Sequence, residues 1–260
     1  MADEVWTVGD AYEAYVGRWS RPVAAAFLRW LDVPTGRRWL DVGCGTGALS
    51  GTVLAQADPA RIVGVDTSEQ FLVTARARIR DRRASFVVGE AQSLPAPDHQ
   101  VDTVVSGLAL NFVPVAGRAV AEFARVTGPG GTIAAYVWDY ARGMAVIRHF
   151  WDAAVSLHPA AAELDEGRRF PMCQPDALYE LWTAAGLHAV TVRAIEVPAV
   201  FAGFDDYWTP FLGGQGPAPA YAMSLTEEHR RALREQLRTR LPDGSITLTV
   251  RAWAVRGTTG

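Results

Sequence analysis

The segment WLDVGCGTGALS, Trp39 to Ser50, is the strongest indication of fold in this chain. A short apolar run ends at Asp41, and three glycines then alternate before a small residue at Ala48. Glycines in this spacing allow positive φ angles and let backbone N–H groups approach a ligand, as in the turn between the first strand and helix of a nucleotide-binding unit. The stretch therefore predicts a ligand-binding βα turn.

Outward from this turn, short apolar runs alternate with helical patterns. The runs are continuously apolar, which is typical of strands covered by helices on both faces, and the alternation predicts an α/β fold with a parallel, doubly wound sheet. The later stretches HAVTVRAIEVPAVF and SITLTVRAWAVRG indicate two further strands. The first five strands are predicted in RRWLDV, RIVGVD, SFVVGE, VDTVVS and TIAAYVWD.

Three segments lie outside this alternation, within what we interpret as a single domain over 1–260. Residues 1–36 form a predicted helical cap, since apolar residues recur every three or four positions from Tyr12 to Leu31. Residues 140–186 and 203–242 are predicted lid helices that bind the substrate. Within the second, GGQGPAPA at 213–220 reads as a loop, either a hinge for the lid or an ordinary surface loop.

Composition excludes several classes of protein. The 25 basic and 28 acidic side chains give a net charge of -3, which argues against a nucleic-acid partner. Every basic residue is Arg, so Schiff-base enzymes and P-loop proteins are excluded. Cys44 and Cys173 are too far apart for the paired spacing of a zinc site, and we expect no metal. Without a leader pattern or an apolar run of membrane length, we expect a cytoplasmic protein that makes no membrane contact.

The glycine turn alone fits two kinds of adenosine-bearing cofactor. Asp66, at the end of RIVGVD, is placed to accept hydrogen bonds from ribose hydroxyls in either case. Asp41 would repel the pyrophosphate of a dinucleotide but attract the ammonium of an amino-acid moiety, directly or through water. Glu90 can accept the exocyclic amine of adenine, and the Gly-Pro-Gly-Gly turn in RVTGPGGTI leads sharply into the fifth strand. NAD remains the alternative cofactor.

With these pieces in order, the chain resembles the class I S-adenosylmethionine-dependent methyltransferases. The matching motifs are LDVGCGTG, VGVDTS, GEAQSLP, VDTVVSGLAL and VTGPGGTI, which lie between Trp39 and Asp139. The resemblance implies a Rossmann-like sheet of seven strands in the order 3-2-1-4-5-7-6, with the last strand antiparallel. The sixth and seventh strands would be about 188–198 and 245–256. Glu90 departs from the family, which usually has Asp there.

The resemblance also implies which residues bind the cofactor, S-adenosylmethionine. The methionine portion would be held by Gly43, Gly45 and the backbone around Cys44 and Thr46. Asp66, with Thr67 beside it, would bind the ribose, and Glu90 and Ala91 would contact adenine. Ser106 and Gly107 would lie beneath the sulfonium.

Residues for the methyl acceptor are candidates with rival interpretations. Asn111 could hydrogen-bond the substrate or cap a loop, and His149 could be a base or a packed histidine. Arg18 could pair with the methionine carboxylate or be a surface arginine among core rings. Many of the large rings outside the sheet belong to the core, and the others predict an apolar pocket. The candidate substrate-binding rings are Tyr12, Tyr15, Trp19, Trp138, Trp151, Tyr207 and Trp208.

We therefore expect an enzyme that methylates a small, largely apolar or aromatic molecule and that is a monomer or homodimer. The Asn/Asp-Pro-Pro-aromatic turn of nucleic-acid amino-methyltransferases is replaced by SGLA. The paired glutamates of arginine methyltransferases and the clustered ligands of metal-dependent catechol enzymes do not occur in the sequence. Two alternatives stay open: a cofactor-binding scaffold with a non-methylating role, as a pericyclase or binding partner, and an NAD-dependent oxidoreductase.

Overall fold

The computed structural model describes residues 15–214 and 216–260. The predictions for Tyr12 and for the part of the N-terminal cap that precedes Tyr15 lie outside the described residues. The strands are β1 Arg38–Val42, β2 Arg61–Asp66, β3 Ala84–Val88, β4 Val101–Gly107, β5 Thr127–Trp138, β6 His188–Phe201 and β7 Ile246–Thr258.

The strands form one seven-stranded sheet in the order β3-β2-β1-β4-β5-β7-β6. The β1 strand pairs in parallel with β2 on one side and with β4 on the other. The last strands run antiparallel. The predicted fold class and strand order are therefore confirmed.

Helices alternate with the strands as the apolar patterns predict. Two of them begin at a side-chain cap: Ser68 Oγ accepts the Phe71 N–H at 3.3 Å, and Thr226 Oγ1 accepts the His229 N–H at 3.3 Å. A short 3₁₀ turn, Gly17–Trp19, precedes the first helix. The helices are α1 Ser20–Leu31, α2 Ala48–Gln56, α3 Glu69–Arg78, α4 Ala116–Val126, α5 Ala145–Leu157, α6 Glu166–Arg169, α7 Pro175–Ala184, α8 Phe204–Trp208, α9 Pro217–Ser224 and α10 Glu227–Arg238.

The register of the sheet places the ends of its central strands at one edge. Asp41 of β1 is level with Gly64 of β2 and with Val105 of β4. Because parallel strands all end on the same side, the glycine turn after β1, Asp66 at the end of β2 and Gly107 at the end of β4 share that edge.

Two local predictions differ from the structure. The predicted loop at 213–220 is helical from Pro217, because proline lacks the N–H that the first turn of a helix leaves unbonded and so can begin α9. The Gly-Pro-Gly-Gly turn lies within β5 as an irregularity: Val101 pairs with Thr127, whereas Thr103 pairs with Thr132. The extra residues of β5 form a bulge, in which Gly130 has a φ of 68°.

The contacts between residues divide the chain into two compact units. The sheet unit comprises Ser20–Val137, Met172–Ile195 and Ala252–Gly260. The helical unit comprises 15–19, Trp138–Pro171 and Glu196–Arg251.

Two helices that we predicted as cap and lid pack within the sheet unit. Arg256 of β7 donates hydrogen bonds to the carbonyls of Trp30 and Leu31 at the end of α1, both at 3.1 Å. The Trp182 indole of α7 donates to the Ile133 carbonyl of β5 at 3.1 Å. The predicted lid segment 140–186 is thus shared between the two units, while its role in binding a substrate stays a prediction.

In the described part of the chain, no helix has the length and apolar character that crossing a membrane requires.

Candidate functional site

The glycine turn of the sheet unit has a backbone that only glycine adopts readily. Gly43, Gly45 and Gly47 have φ angles of 73°, 52° and 86°. A Cβ on Gly43 would lie 2.4 Å from the Cβ of Ala109, whereas a Cβ on Gly45 would meet nothing within 4 Å. Gly43 is therefore required by packing as well as by φ, and the space beside Gly45 is open to a ligand.

Asp66 links the turn to the second strand. Its Oδ2 accepts the Gly45 N–H at 2.8 Å, and its Oδ1 accepts the Ser68 N–H at 2.9 Å. A carboxylate oxygen has two lone-pair directions, so each oxygen retains the capacity for another donor. The carboxylate is fixed by the backbone and half-buried, a geometry suited to ribose hydroxyls.

Asp41 is fully buried, and one of its two oxygens is satisfied. The Ser50 hydroxyl of α2 donates to Asp41 Oδ2 at 2.6 Å, while Oδ1 has no hydrogen-bond partner among the described residues. Burial raises the pKa of Asp41 to about 7, the Ser50 bond opposes the shift, and the charge of Asp66 adds to it. A buried acceptor without a donor costs roughly 1–3 kcal/mol. A cationic ligand would remove this cost.

Cys44 takes part in the turn through its backbone. Its side chain is buried in a cluster with Leu72, Ala75 and Phe86. Burial raises the pKa of the thiol far above its usual range, so it stays protonated and unreactive. The Cys44 N–H donates to the Val65 carbonyl at 3.1 Å, which holds the turn against β2.

The remaining predicted cofactor residues of the sheet unit lie at the ends of its strands. Thr67 and Glu90 are exposed, and the Glu90 carbonyl accepts the Ser93 N–H at 3.1 Å, so the chain turns back directly after β3. Ala91 follows in this turn, half-buried. Thr46 accepts a bond from Arg78 at 3.2 Å. Their binding roles stay predictions.

The end of β4 combines close packing with backbone strain. A Cβ on Gly107 would lie 2.6 Å from the Tyr136 hydroxyl, so only glycine fits there, and the preceding Ser106 is buried. Leu108 has a φ of 59°, a strained value for a residue other than glycine. No sequence pattern indicates this strain.

Asn111 follows in the 3₁₀ turn Leu110–Phe112, beyond β4. Its side chain is 8% exposed, and neither the amide nitrogen nor the amide oxygen has a hydrogen-bond partner within the described residues. A loop cap would use at least one of these atoms. The contacts therefore favour the substrate-binding interpretation over the capping one.

The helical unit buries most of the predicted substrate-binding rings. Phe150 stacks on Phe211 with ring centroids 4.6 Å apart, and Tyr15 meets Phe211 edge-on at 5.3 Å. The Tyr207 hydroxyl donates to the Val146 carbonyl at 2.9 Å, so it is committed to the fold. The candidate rings, all at most 5% exposed, are Tyr15, Trp19, Trp138, Trp151, Tyr207 and Trp208.

Arg18 already has partners within the helical unit. It donates to Asp206 at 3.4 Å and to the Val200 carbonyl at 3.3 Å, and its guanidinium lies over the rings of Trp19 and Phe201. These contacts are those of a surface arginine among core rings, one of the two interpretations that the sequence allows for Arg18. They do not support its pairing with a methionine carboxylate.

His149 lies half-buried on α5. Burial lowers its pKa, and the charge of Asp152 opposes the shift. The lowered pKa favours the neutral imidazole, which can accept a proton, but no contact assigns it to catalysis. In the described ranges, no group of three or more His, Cys, Asp and Glu side chains could hold a metal ion.

Two polar residues that matter here were missed in the sequence. Ser50, the partner of Asp41, lies within the quoted motif but is an ordinary helix residue in pattern. Glu166 is 2% exposed at the start of α6, and the Trp151 indole donates to its Oε2. It follows a Pro- and acid-containing stretch that reads as a surface loop, so no sequence signal marks it as buried.

Comparisons with known proteins agree with this geometry. A methyltransferase-domain family profile matches residues 40–135. A demethylmenaquinone methyltransferase from Roseiflexus sp. is 30% identical over 178 residues, which cover 64% of this chain and 74% of that protein.

Solved structures share the fold at low sequence identity. A phosphoethanolamine N-methyltransferase of Haemonchus contortus, in complex with S-adenosyl-L-methionine, superposes with a TM-score of 0.62 at 15% identity, covering 99% of this chain and 58% of that one. The cyclase SpnF superposes with a TM-score of 0.53 at 21% identity, covering 89% and 80%. From the sequence relatives, the sheet order and the glycine turn together, the chain belongs to the class I S-adenosylmethionine-dependent methyltransferase family.

Proposed function

We propose that this protein binds S-adenosylmethionine in the sheet unit and transfers its methyl group to a small, largely apolar or aromatic molecule. The observation that carries the proposal is Asp41, whose buried Oδ1 lacks a donor beside a turn of glycines with positive φ. An ammonium group supplies that donor, whereas the pyrophosphate of a dinucleotide would bring a second negative charge. The residues present therefore fit the methionine end of this cofactor.

The chain's own residues divide the task of holding the cofactor. Gly43, Gly45 and the backbone of Cys44 and Thr46 surround the methionine portion, and Asp66, with Thr67 beside it, accepts the ribose hydroxyls. At the neighbouring strand ends, Glu90 and Ala91 contact adenine, and Ser106 and Gly107 lie under the reacting group. The bound cofactor supplies an electrophilic methyl group on a sulfonium whose charge disappears on transfer. Alignment and exclusion of water then give most of the rate.

Asn111 is the acceptor contact that the structure supports best. Its amide has both a donor and an acceptor without partners in the described part of the chain, so it can orient a hydroxyl or amine of the acceptor. His149, whose pKa is lowered by burial, is the candidate base if the acceptor must lose a proton.

A small molecule fits the surface charges better than a nucleic acid. Two segments are rich in arginine, Arg76 to Arg83 and Arg230 to Arg240, and both contain arginines paired with acids. Arg83 pairs with Asp58 at 2.7 Å, and Arg234 pairs with Asp205 at 2.8 Å. The Roseiflexus relative is named for a quinone-type acceptor, demethylmenaquinone, which supports an apolar ring system as the acceptor class.

Two measurements test this function. Calorimetric titration with S-adenosylmethionine and with NAD distinguishes a methyltransferase site from a dinucleotide site. We expect binding of the first and none of the second, and the reverse result would refute the proposal. Incubation with host extract, followed by mass spectrometry, should show S-adenosylhomocysteine together with a product heavier by one methylene. Cofactor binding without either product would indicate the non-methylating scaffold.

A further inference from the structure

The helical unit contains a pocket with a volume of about 410 Å³. Its wall is formed within Glu196–Arg251 by two loops, one between β6 and α8 and the other between α10 and β7, and by the adjoining ends of α8 and α10. The Ser245 hydroxyl donates to the Phe201 carbonyl at 3.2 Å, which holds the two loops side by side. The proposed cofactor residues lie in the sheet unit, so this pocket is separate from them.

The described wall of the pocket includes three acids, and two of them are neutralised by arginines. Asp205 pairs with Arg234 at 2.8 Å, and Asp206 pairs with Arg18 at 3.4 Å. Asp243, on the loop before β7, has no hydrogen bond or ion pair with any described residue. The carboxylate of Asp243 is therefore the unmatched negative charge of this pocket.

The unmatched positive charge of the pocket is Arg238, in the last turn of α10. The guanidinium groups of Arg238 and Arg234 both lie over the Phe204 ring, at 4.8 and 5.3 Å from its centroid. Arg234 is committed to Asp205, whereas Arg238 forms no ion pair or hydrogen bond within the described ranges. The ring thus holds the Arg238 guanidinium in place and leaves its N–H groups available. Their planar fork matches the two oxygens of a carboxylate.

The two unmatched charges select the kind of ligand. A simple anion would be attracted by Arg238 but repelled by Asp243, and a simple cation would meet the reverse. A molecule that carries both charges satisfies both side chains. Phe204 and Pro242 add apolar surface to the same wall. The pocket therefore favours a zwitterion with an apolar part.

We infer that this pocket binds an α-amino acid with an apolar side chain. The Arg238 guanidinium donates to its carboxylate, its ammonium donates to the Asp243 carboxylate, and its side chain packs on Phe204 and Pro242. The inference goes beyond the proposed function and does not depend on it, because binding here requires neither the cofactor nor methyl transfer.

The test compares three probes that share a phenyl ring: phenylalanine, phenylpropanoate, which lacks the ammonium, and phenylethylamine, which lacks the carboxylate. Each is titrated by calorimetry into the full-length protein at neutral pH without cofactor. Each analogue leaves one charged side chain of the pocket unmatched. We expect the wild type to bind phenylalanine about fivefold or more tightly than either analogue.

Two variants should each remove one of these preferences and keep the other. Arg238→Gln removes the partner of the carboxylate, so phenylalanine should lose its advantage over phenylethylamine. Asp243→Asn removes the partner of the ammonium, so the advantage over phenylpropanoate should disappear. Both side chains are exposed, and the melting temperatures should stay close to that of the wild type. Arg231→Gln is the matched control: Arg231 is an exposed arginine of α10 outside the pocket wall, and both preferences should remain.

A further variant separates this pocket from the proposed cofactor site, which also has a carboxylate for an ammonium group. Asp41→Asn should keep both preferences. Loss of phenylalanine binding in that variant would place the amino acid in the sheet unit and overturn the inference. No phenylalanine binding or no preference in the wild type, or unchanged preferences in either pocket variant, would overturn it as well.

Discussion

Each unit buries a carboxyl group, Asp41 beside the glycine turn of the sheet unit and Glu166 in the helical unit. The two carboxyl groups are held in different ways. Asp41 receives its hydrogen bond from Ser50, nine residues later, within one strand-turn-helix segment. Glu166 accepts its hydrogen bond from the indole of Trp151, which lies on another helix. Its charge also acts on Tyr15, a residue about 150 positions earlier in the chain. Burial raises the pKa of both acids to about 7. A carboxyl pKa can therefore be raised within a local motif, as for Asp41, or by contacts between segments far apart in the chain, as for Glu166.

The largest expected effect is in the glycine turn. Gly43→Ala combines a φ of 73° with a contact of 2.4 Å between the new Cβ and Ala109. We expect a loss of about 3–5 kcal/mol in the free energy of unfolding, measured by urea denaturation. Gly45→Ala is the matched control, because its φ is 52° and a Cβ there has open space. It should lose only about 1–2 kcal/mol. Equal losses would show that packing against Ala109 is unimportant.

In the helical unit, Glu166 should make the free energy of unfolding depend on pH. The folded pKa of Glu166, about 7, lies above its ordinary value, so the folded state holds a proton that the unfolded state has released. Stability should therefore fall as pH rises from about 4.5 to about 7 and level off above that range. Glu166→Gln should remove a fall on the order of 3 kcal/mol while keeping an acceptor for Trp151.

The groups facing Glu166 that also affect this titration are Trp151, Asp165, Arg148 and Tyr15. Asp41→Asn is the comparison variant and should remove a separate part of the same fall. A wild-type stability that stays flat across this range would contradict the raised pKa values.

Cofactor affinity gives the next effect. Asp66→Ala removes the proposed acceptor of the ribose hydroxyls and should weaken S-adenosylmethionine binding by about 1–3 kcal/mol, measured by calorimetry. Asp102→Ala is the control: this acid pairs with Arg38 at 2.7 Å, where β1 and β4 begin, away from the edge that holds the turn. Its affinity should match the wild type. Unchanged affinity in Asp66→Ala would remove the ribose assignment.

The smallest effect is expected for Arg18→Ala. The ion pair with Asp206 is partly exposed, so its loss together with the ring contacts should cost less than about 1 kcal/mol of stability. S-adenosylmethionine affinity should stay unchanged. A tenfold loss of affinity would instead restore the interpretation that Arg18 binds the methionine carboxylate.

The sequence was informative wherever a few neighbouring residues determine the structure. The first five strands, the glycine turn and Asp66 follow from continuous apolar runs and from one motif, because βα units are local. The strand order followed only from the family resemblance. The helix from Pro217 was missed because proline and glycine mark both loops and helix starts. The partners of Arg18, and the burial of Glu166 by Trp151, depend on segments far apart in the chain. No periodic pattern in the sequence relates residues that are so far apart.

We propose that Asp41 receives the ammonium of S-adenosylmethionine, and calorimetric titration at two pH values can decide this. Because the pKa of Asp41 is about 7, its charge increases between about pH 6 and about pH 7.5, and wild-type affinity should rise several-fold over that range. Asp41→Asn should bind more weakly and show no such rise. Equal affinity of the two proteins at both pH values would contradict the account.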